Sequence, residues 1–293
     1  MKTFEYMRPS SVEEACAMLA SADGPVKALA GGTDLLVQMK QGGLEPHALV
    51  SLRDVPGLDA LYLDEDGCLV IGSVTPLAAL ENSPDVLRAF PGIAEAASFV
   101  GSMQVRSRAT VGGNLCNAAP SADTAPILIA CGATAVITDG RTERRLLLED
   151  FFTGPGQTVL KPGELLKAVV VPPLQETRFA KYFKSFRSAM DCCTVGVAVC
   201  ADFAPGTTEV RDVRLALGAV APTPIRARAA EALLVGRELD DALLDRASAE
   251  AAGDAQPIDD LRASAEYRKI LVEVLSRRAL AAARAWVEKG AVA

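Results

Sequence analysis

Leu29-Ala30-Gly31-Gly32-Thr33-Asp34-Leu35 and Ala109-Thr110-Val111-Gly112-Gly113-Asn114-Leu115 are the two stretches on which the fold turns. Each sets a Gly-Gly pair beside a threonine. The first lies between a β-prone run, residues 26–30, and a helical pattern, residues 35–40, that stops at Gly42-Gly43. A Gly-Gly pair lacks two Cβ atoms and opens backbone conformations closed to other residues. Successive amides can then converge on an anion, and a following helix N-terminus adds partial positive charge. Thr33 and Thr110 add hydroxyl donors. A hydrogen bond to a charged oxygen contributes about 1.5–3 kcal/mol, so two such loops can hold a pyrophosphate without Arg or Lys. One Gly-Gly pair alone is more simply a tight turn. Two pairs with the same kind of neighbour shift the balance without settling it. Neither loop is G-x-G-x-x-G, and neither continues into Gly-Lys-Ser/Thr.

Working outward, the chain reads as three segments. Residues 1–57 alternate helix and strand. Ser11 with Glu14 forms a capping box before a helix carrying Val12, Ala15 and Leu19, and residues 48–52 are a strand. Residues 58–175 hold a strand at 69–71 and a helix opened by Thr75-Pro76. They continue with a helix near 93–99, an apolar run at 125–130, a hairpin turn at Asp139-Gly140 and a strand at 165–171. Residues 176–293 begin with three strands, 179–186, 195–203 and 210–217. Three helices follow, 227–235, 241–252 and 264–289. Strands followed by helices mark an α+β domain.

Composition narrows the function. Of 293 residues, 50% are hydrophobic and 23% charged, which is globular, and the net charge is −7. No Lys/Arg run marks a nucleic-acid footprint. No run of about 18 apolar residues predicts a membrane span. The start, Met1-Lys2-Thr3-Phe4-Glu5-Tyr6, lacks the apolar core of a signal peptide, so a soluble, cytoplasmic protein is expected. The 7 cysteines include no C-x-x-C pair, which argues for reduced thiols and against an iron–sulfur or zinc site in this chain. The one histidine, His47, sits in a Glu45-Pro46 loop context, so Ser-His or Cys-His catalysis is not expected.

The resemblance to a known family decides more. Ala30-Gly31-Gly32-Thr33-Asp34-Leu35-Leu36 and Gln104-Val105-Arg106 followed by Ala109-Thr110-Val111-Gly112-Gly113-Asn114-Leu115 resemble the FAD-binding subunits of bacterial molybdenum hydroxylases, xanthine dehydrogenase and carbon monoxide dehydrogenase among them. So do Pro120-Ser121-Ala122-Asp123, Tyr182-Phe183-Lys184 with Arg187 and Asp191, and Ala221-Pro222-Thr223-Pro224-Ile225-Arg226. The likeness spans nearly the whole chain, in the same order, and is closest to the xanthine dehydrogenase branch. It implies an α+β fold. Two α/β subdomains of the vanillyl-alcohol-oxidase type would hold one non-covalent FAD, and a C-terminal domain of a three-stranded sheet and helices would follow. It also implies partners: a large subunit with molybdenum cofactor and a small subunit with 2Fe–2S clusters. Electrons would pass from those clusters through FAD to NAD or another acceptor. Purines suit the closest branch, while other N-heterocycles and carbon monoxide stay open. The alternative is a self-contained flavin oxidase of the vanillyl-alcohol-oxidase type.

By the same resemblance, Ala28, Leu29, Ala30, Gly31, Gly32, Thr33 and Asp34 form the first FAD loop. Asp34 is one methylene shorter than the Glu that animal relatives carry. Thr110, Gly113, Asn114, Cys116 and Asn117 form the second, with Gly101 and Ala109 beside it. Asp123 contacts the ADP or ribityl part, and Leu166 (through its backbone) and Lys184 approach the flavin or the adenosine. Read as residues alone, Asp123 is equally a helix N-cap, Lys184 a solvated strand-edge lysine, Cys116 a small buried hydrophobe and Trp286 core of the last helix.

Overall fold

Parallel strands need crossover connections, and residues 5–51 supply two. β1 (Glu5–Met7), α1 (Val12–Ser21), β2 (Val26–Leu29), α2 (Leu35–Lys40) and β3 (Ala48–Ser51) form a three-stranded sheet in the order β1-β3-β2. β3 pairs in parallel with both neighbours and is buried along its length. The α1 cap forms one residue out of step with a standard box. Ser11 Oγ accepts from the Glu14 amide at 3.1 Å, and the Glu14 carboxylate accepts from Ser10, not Ser11, at 2.6 Å. The first glycine loop leaves the C-terminal end of β2, the end at which parallel sheets present ligands. In this computed structural model residues 2–21 and 24–291 are described. Met1, Ala22, Asp23, Val292 and Ala293, which belong to the first and third predicted segments, lie outside the described residues.

The second segment is antiparallel. β4 (Leu61–Leu63) and β5 (Leu69–Gly72) lead into α3 (Leu77–Asn82), α4 (Pro84–Ala89), α5 (Pro91–Ser98), α6 (Met103–Arg106), α7 (Val111–Asn117) and α8 (Thr124–Ala130). β6 (Thr134–Thr138), β7 (Glu143–Leu147), β8 (Phe152–Gly154), β9 (Gln157–Thr158) and β10 (Leu165–Val171) complete it. The main sheet runs β4-β5-β10-β6-β7, and β6 and β7 flank the predicted Asp139-Gly140 turn. The helix expected after Thr75-Pro76 begins one position later than read, with Pro76 as N-cap, and is broken at Ser83. Ser83 closes α3 and caps α4, its Oγ accepting from the Val86 amide at 3.4 Å.

The third segment forms β11 (Arg178–Ser185), β12 (Val195–Phe203), β13 (Val210–Gly218) and β14 (Ile225–Arg226), then α9 (Arg228–Leu234), α10 (Asp241–Asp254) and α11 (Ala265–Trp286). The sheet has four strands in sequence order, not three. The fourth is two residues long and follows Pro222 and Pro224, too short to show a period of its own. β12 is buried on both faces. Val195, Val197, Val199, Ala201 and Phe203 face α11 in a core that α10 completes from behind it, while Ala198 and Cys200 join the core around α8. α8 is buried at every residue and lies between the second segment's helices and the third segment's sheet. Trp286 is half-buried and packs on Phe179, ring centroids 5.8 Å apart.

The two segments touch backbone to backbone at Gly92. A Cβ there would stand 2.5 Å from the Ala180 carbonyl oxygen. Gly92→Ala should therefore push α5 off β11 and cost about 1–3 kcal/mol. Gly253→Ala, in α10 with open space around it, should instead gain about 0.5–1 kcal/mol. Urea unfolding of the two variants should show midpoints moving in opposite directions; a shift of the same sign would contradict this packing.

Candidate functional site

A cleft of about 800 Å³ opens between the first two segments, with the 190–192 stretch of the third at its edge. That volume lies within the usual range for ligand sites. The first loop contributes Ala28 and residues 30–34 to its lining, and the second contributes Ala109, Thr110, Gly113 and Asn114. Cys116 and Asn117 follow one turn on, and Gly101, Asp123 and Leu166 complete the set expected from the sequence. Leu29 and Lys184 do not line it. Ser73, Ser121, Lys161 and the stretch Met190-Asp191-Cys192 line it without having been singled out as cofactor contacts.

The two loops do different work. Gly31 runs against the chain just before the second loop, where a Cβ would meet the Arg108 carbonyl oxygen at 2.1 Å. Gly32 adopts φ +75°, a conformation open to glycine. Among the described residues, the backbone N–H groups of Gly31, Gly32, Thr33 and Asp34 have no protein acceptor. The second loop differs from the expectation that its amides converge on an anion. Val111 N–H donates to the Thr75 oxygen at 3.0 Å and Gly112 N–H to the Ser73 oxygen at 2.9 Å. Gly113 N–H donates to Thr110 Oγ1 at 3.0 Å. This helix start is buried, so its donors must be satisfied inside the protein. It forms a wall that adjoins the first loop instead: the space a Gly113 Cβ would take lies 3.9 Å from Ala30 Cβ.

Asp123 stands at the N-cap position of α8 but makes no side-chain cap bond. Its carboxylate is anchored to β11, with one acceptor site of each oxygen used: Tyr182 donates to Oδ1 at 2.9 Å and Lys184 Nζ to Oδ2 at 2.9 Å. Burial raises the Asp123 pKa, and Lys184 and Tyr182 hold it back. The Lys184 side chain is 1% exposed, so it is no solvated edge residue. Nor is it a charge in the cleft, because its second acceptor is the Phe99 carbonyl at 3.0 Å and the ammonium sits behind Asp123. Burial pushes the Cys116 thiol up to about 12, so it is neutral and no nucleophile at ordinary pH. Asn114 Oδ1 accepts from Thr124 Oγ1 at 2.6 Å, which leaves the Asn114 amide hydrogens for the cleft. His47 is exposed and outside the cleft.

These groups fit a dinucleotide. Four free N–H groups on one loop match a diphosphate, and Ser73 Oγ at the cleft is a buried hydroxyl with no partner among the described residues. Residue types and shape thus define a nucleotide-cofactor protein whose inner carboxylates, Asp123 and Glu164, are paired with cations. Residues 2–174 match the family described as FAD binding domain in molybdopterin dehydrogenase, and residues 180–283 match the CO dehydrogenase flavoprotein C-terminal domain. The xanthine dehydrogenase FAD-binding subunit of Escherichia coli O157:H7 is 34% identical over 95% of each chain. The carbon monoxide dehydrogenase medium chain of Hydrogenophaga pseudoflava is 33% identical over 96% of each. A solved structure of carbon monoxide dehydrogenase from Hydrogenophaga pseudoflava, lacking the Mo-pyranopterin moiety, superposes with TM-score 0.92 at 35% identity, covering 97% of this chain and 98% of that one. The chain belongs to the FAD-binding subunits of the molybdenum hydroxylases. It is an oxidoreductase subunit, and its cofactor is FAD.

Gly31→Ala should cut bound FAD more than tenfold, because the new methyl forces the first loop away from Arg108. Gly42→Ala, at φ +78° with open space around it, should cost about 1 kcal/mol of stability and keep the flavin. Flavin per chain, read by absorbance after gel filtration, distinguishes them; equal flavin content would put the cofactor elsewhere.

Proposed function

We propose that this chain is the flavin relay of a three-part enzyme. A large partner with molybdenum cofactor hydroxylates the substrate, a small partner with 2Fe–2S clusters delivers the electrons, and NAD or another acceptor takes them from FAD. Bound flavin exchanges electrons singly or in pairs, which suits a relay between clusters and a hydride acceptor. The observation that carries the reading is the commitment of the cleft's inner acids. Asp123 is bound to Lys184, Glu164 to Arg144 and Asp191 to Arg187. Asp34, the one lining carboxylate with no side-chain partner among the described residues, is exposed on the first loop, so no buried carboxylate stands ready as a general base. What this chain's residues do is bind and orient. The N–H groups of residues 31–34 take the diphosphate. Thr110, Asn114 and Asn117 with Asp123 supply further polar contacts, and Gly101, Leu166 and Cys116 shape the wall.

The three segments 1–57, 58–175 and 176–293 are then two FAD-binding subdomains and a C-terminal unit that closes the cleft's far edge. The described cysteines are all free, which supports a reducing compartment such as the cytoplasm. No helix among the described residues is long and apolar enough to cross a membrane. Relatives of similar identity are named for xanthine and for carbon monoxide, so the hydroxylated substrate is a property of the large partner.

The chain purified alone should hold one FAD that acid precipitation releases into the supernatant. That flavin should be reduced by NADH or an artificial donor. The same preparation should leave hypoxanthine and xanthine untouched until the molybdenum and iron–sulfur subunits are added. Turnover of a purine by the lone chain at the assembled rate would establish a self-contained flavin oxidase instead.

A further inference from the structure

Tyr182 is among the largest fully buried side chains of the protein, yet it points its polar end toward the cleft wall. Its hydroxyl donates to Asp123 Oδ1 at 2.9 Å, and Cys193 Sγ lies 3.5 Å from the Tyr182 hydroxyl oxygen. A phenol has one proton to give. With that proton on the carboxylate, the thiol must be the donor to the phenol oxygen, and the order is Cys193 to Tyr182 to Asp123. Burial raises the Tyr182 hydroxyl well above its usual range and the Cys193 thiol up to about 12, so both keep their protons at neutral pH. The opposing strand makes room for this hydroxyl. Gly196 faces Lys184 across β11 and β12, and a Cβ on it would stand 2.5 Å from the Tyr182 oxygen.

The pair of bonds on Asp123 is asymmetric in a useful way. Lys184 holds Oδ2 and Tyr182 holds Oδ1, so the carboxylate is fixed at both oxygens and cannot turn about its Cβ–Cγ bond. A carboxylate held only by Lys184 would keep its charge partner and lose its orientation. We infer that Tyr182 is a positioning residue of the flavin site: backed by Cys193, it fixes the Asp123 carboxylate in the one orientation in which it meets FAD. The inference rests on Asp123 being a cofactor contact.

The titratable and charged groups around Asp123 are Lys184 and Tyr182 from β11 and Cys193 from the loop before β12. Arg268 of α11, whose guanidinium holds the Thr194 carbonyl at 2.6 Å, lies beyond them. The Tyr182 bond lowers the Asp123 pKa, so removing the hydroxyl raises it further. Only the carboxylate form can accept at both oxygens at once. FAD affinity should therefore fall as pH drops through the Asp123 pKa, and that fall should come at higher pH in Tyr182→Phe.

The test measures FAD dissociation constants of the full-length chain across pH by quenching of flavin fluorescence. Tyr182→Phe should bind FAD about tenfold more weakly at neutral pH, about 1.4 kcal/mol, with its acid-side loss moved to higher pH. Cys193→Ala should show the same two changes at about threefold, and Cys193→Ser, which keeps a donor, should bind like the unmodified chain. Tyr182→Phe with unchanged affinity, or with weaker binding and an unshifted pH profile, overturns the inference. If Tyr182→Phe does not fold, Cys193→Ala with the unmodified chain's affinity and profile overturns it. Failure of the unmodified chain to bind FAD would strike the functional reading itself; equal binding by variant and unmodified chain would strike only the role of Tyr182.

Discussion

The double-sided burial of β12 is the constraint on which the cleft depends. Its Val195, Val197 and Val199 must meet α11, so Gly196, Ala198 and Cys200 must face the other way. Those residues are small, and α8 can approach the sheet closely there. α8 is apolar all round, and a helix of that kind is stable only when enclosed. Each large aliphatic side chain buried in this layer contributes about 1.5–3 kcal/mol. Asp123 immediately precedes α8, so the same burial that places the helix places the carboxylate at the cleft wall. The C-terminal segment is thus part of the binding site without donating much of its surface to it.

Further bonds brace the same wall. Ala219, at the end of β13 with φ +63°, donates its N–H to the Pro120 carbonyl at 2.7 Å. Arg268 in α11 donates to the carbonyls of Ala219 and Thr194 at 2.9 and 2.6 Å. One buried guanidinium therefore ties the 120–123 wall to the 190–194 edge. Buried ion pairs such as Lys184 with Asp123 lose much of their Coulomb gain to desolvation. Their presence behind a ligand cleft is better explained by orientation than by stability, since an apolar pair would fill the space at lower cost.

How much of this can be read from the sequence follows from how local each feature is. The first glycine loop is legible because strand, glycines and helix are contiguous. The long strands of the third segment are legible because nine residues, as in β12 and β13, display a run of β-branched side chains. Of the short helices, α3 is legible from Thr75-Pro76 and α5 from the run near 93–99, whereas α4 and α6, six and four residues long, cannot show a helical period. The second loop's spent amides depend on Ser73 and Thr75, some forty residues upstream, and no local pattern announces that pairing. Lys184 faces inward because α5 and α8 cover β11, which the strand's own alternation does not reveal. Leu29 does not line the cleft although Ala28 and Ala30 on either side of it do, as the alternation of an extended chain dictates. The family resemblance names candidate cofactor residues; only the fold shows which of them line the cleft and which stand behind.

The unequal loops also bear on how cofactor and fold are coupled. The second loop is complete without ligand, its donors bonded to the turn after β5. The first carries four N–H groups that only water or a cofactor can satisfy, on a three-stranded sheet with a small core of its own. A ligand that binds only the folded form stabilises it by about 2.7 kcal/mol at a hundred times its dissociation constant. On the proposed placement of the diphosphate at residues 31–34, that increment would act on the element least complete alone, because those N–H groups lie beside the first sheet while the second loop belongs to the second segment. FAD so placed would tie the two segments together, and the order of the first would depend on it most.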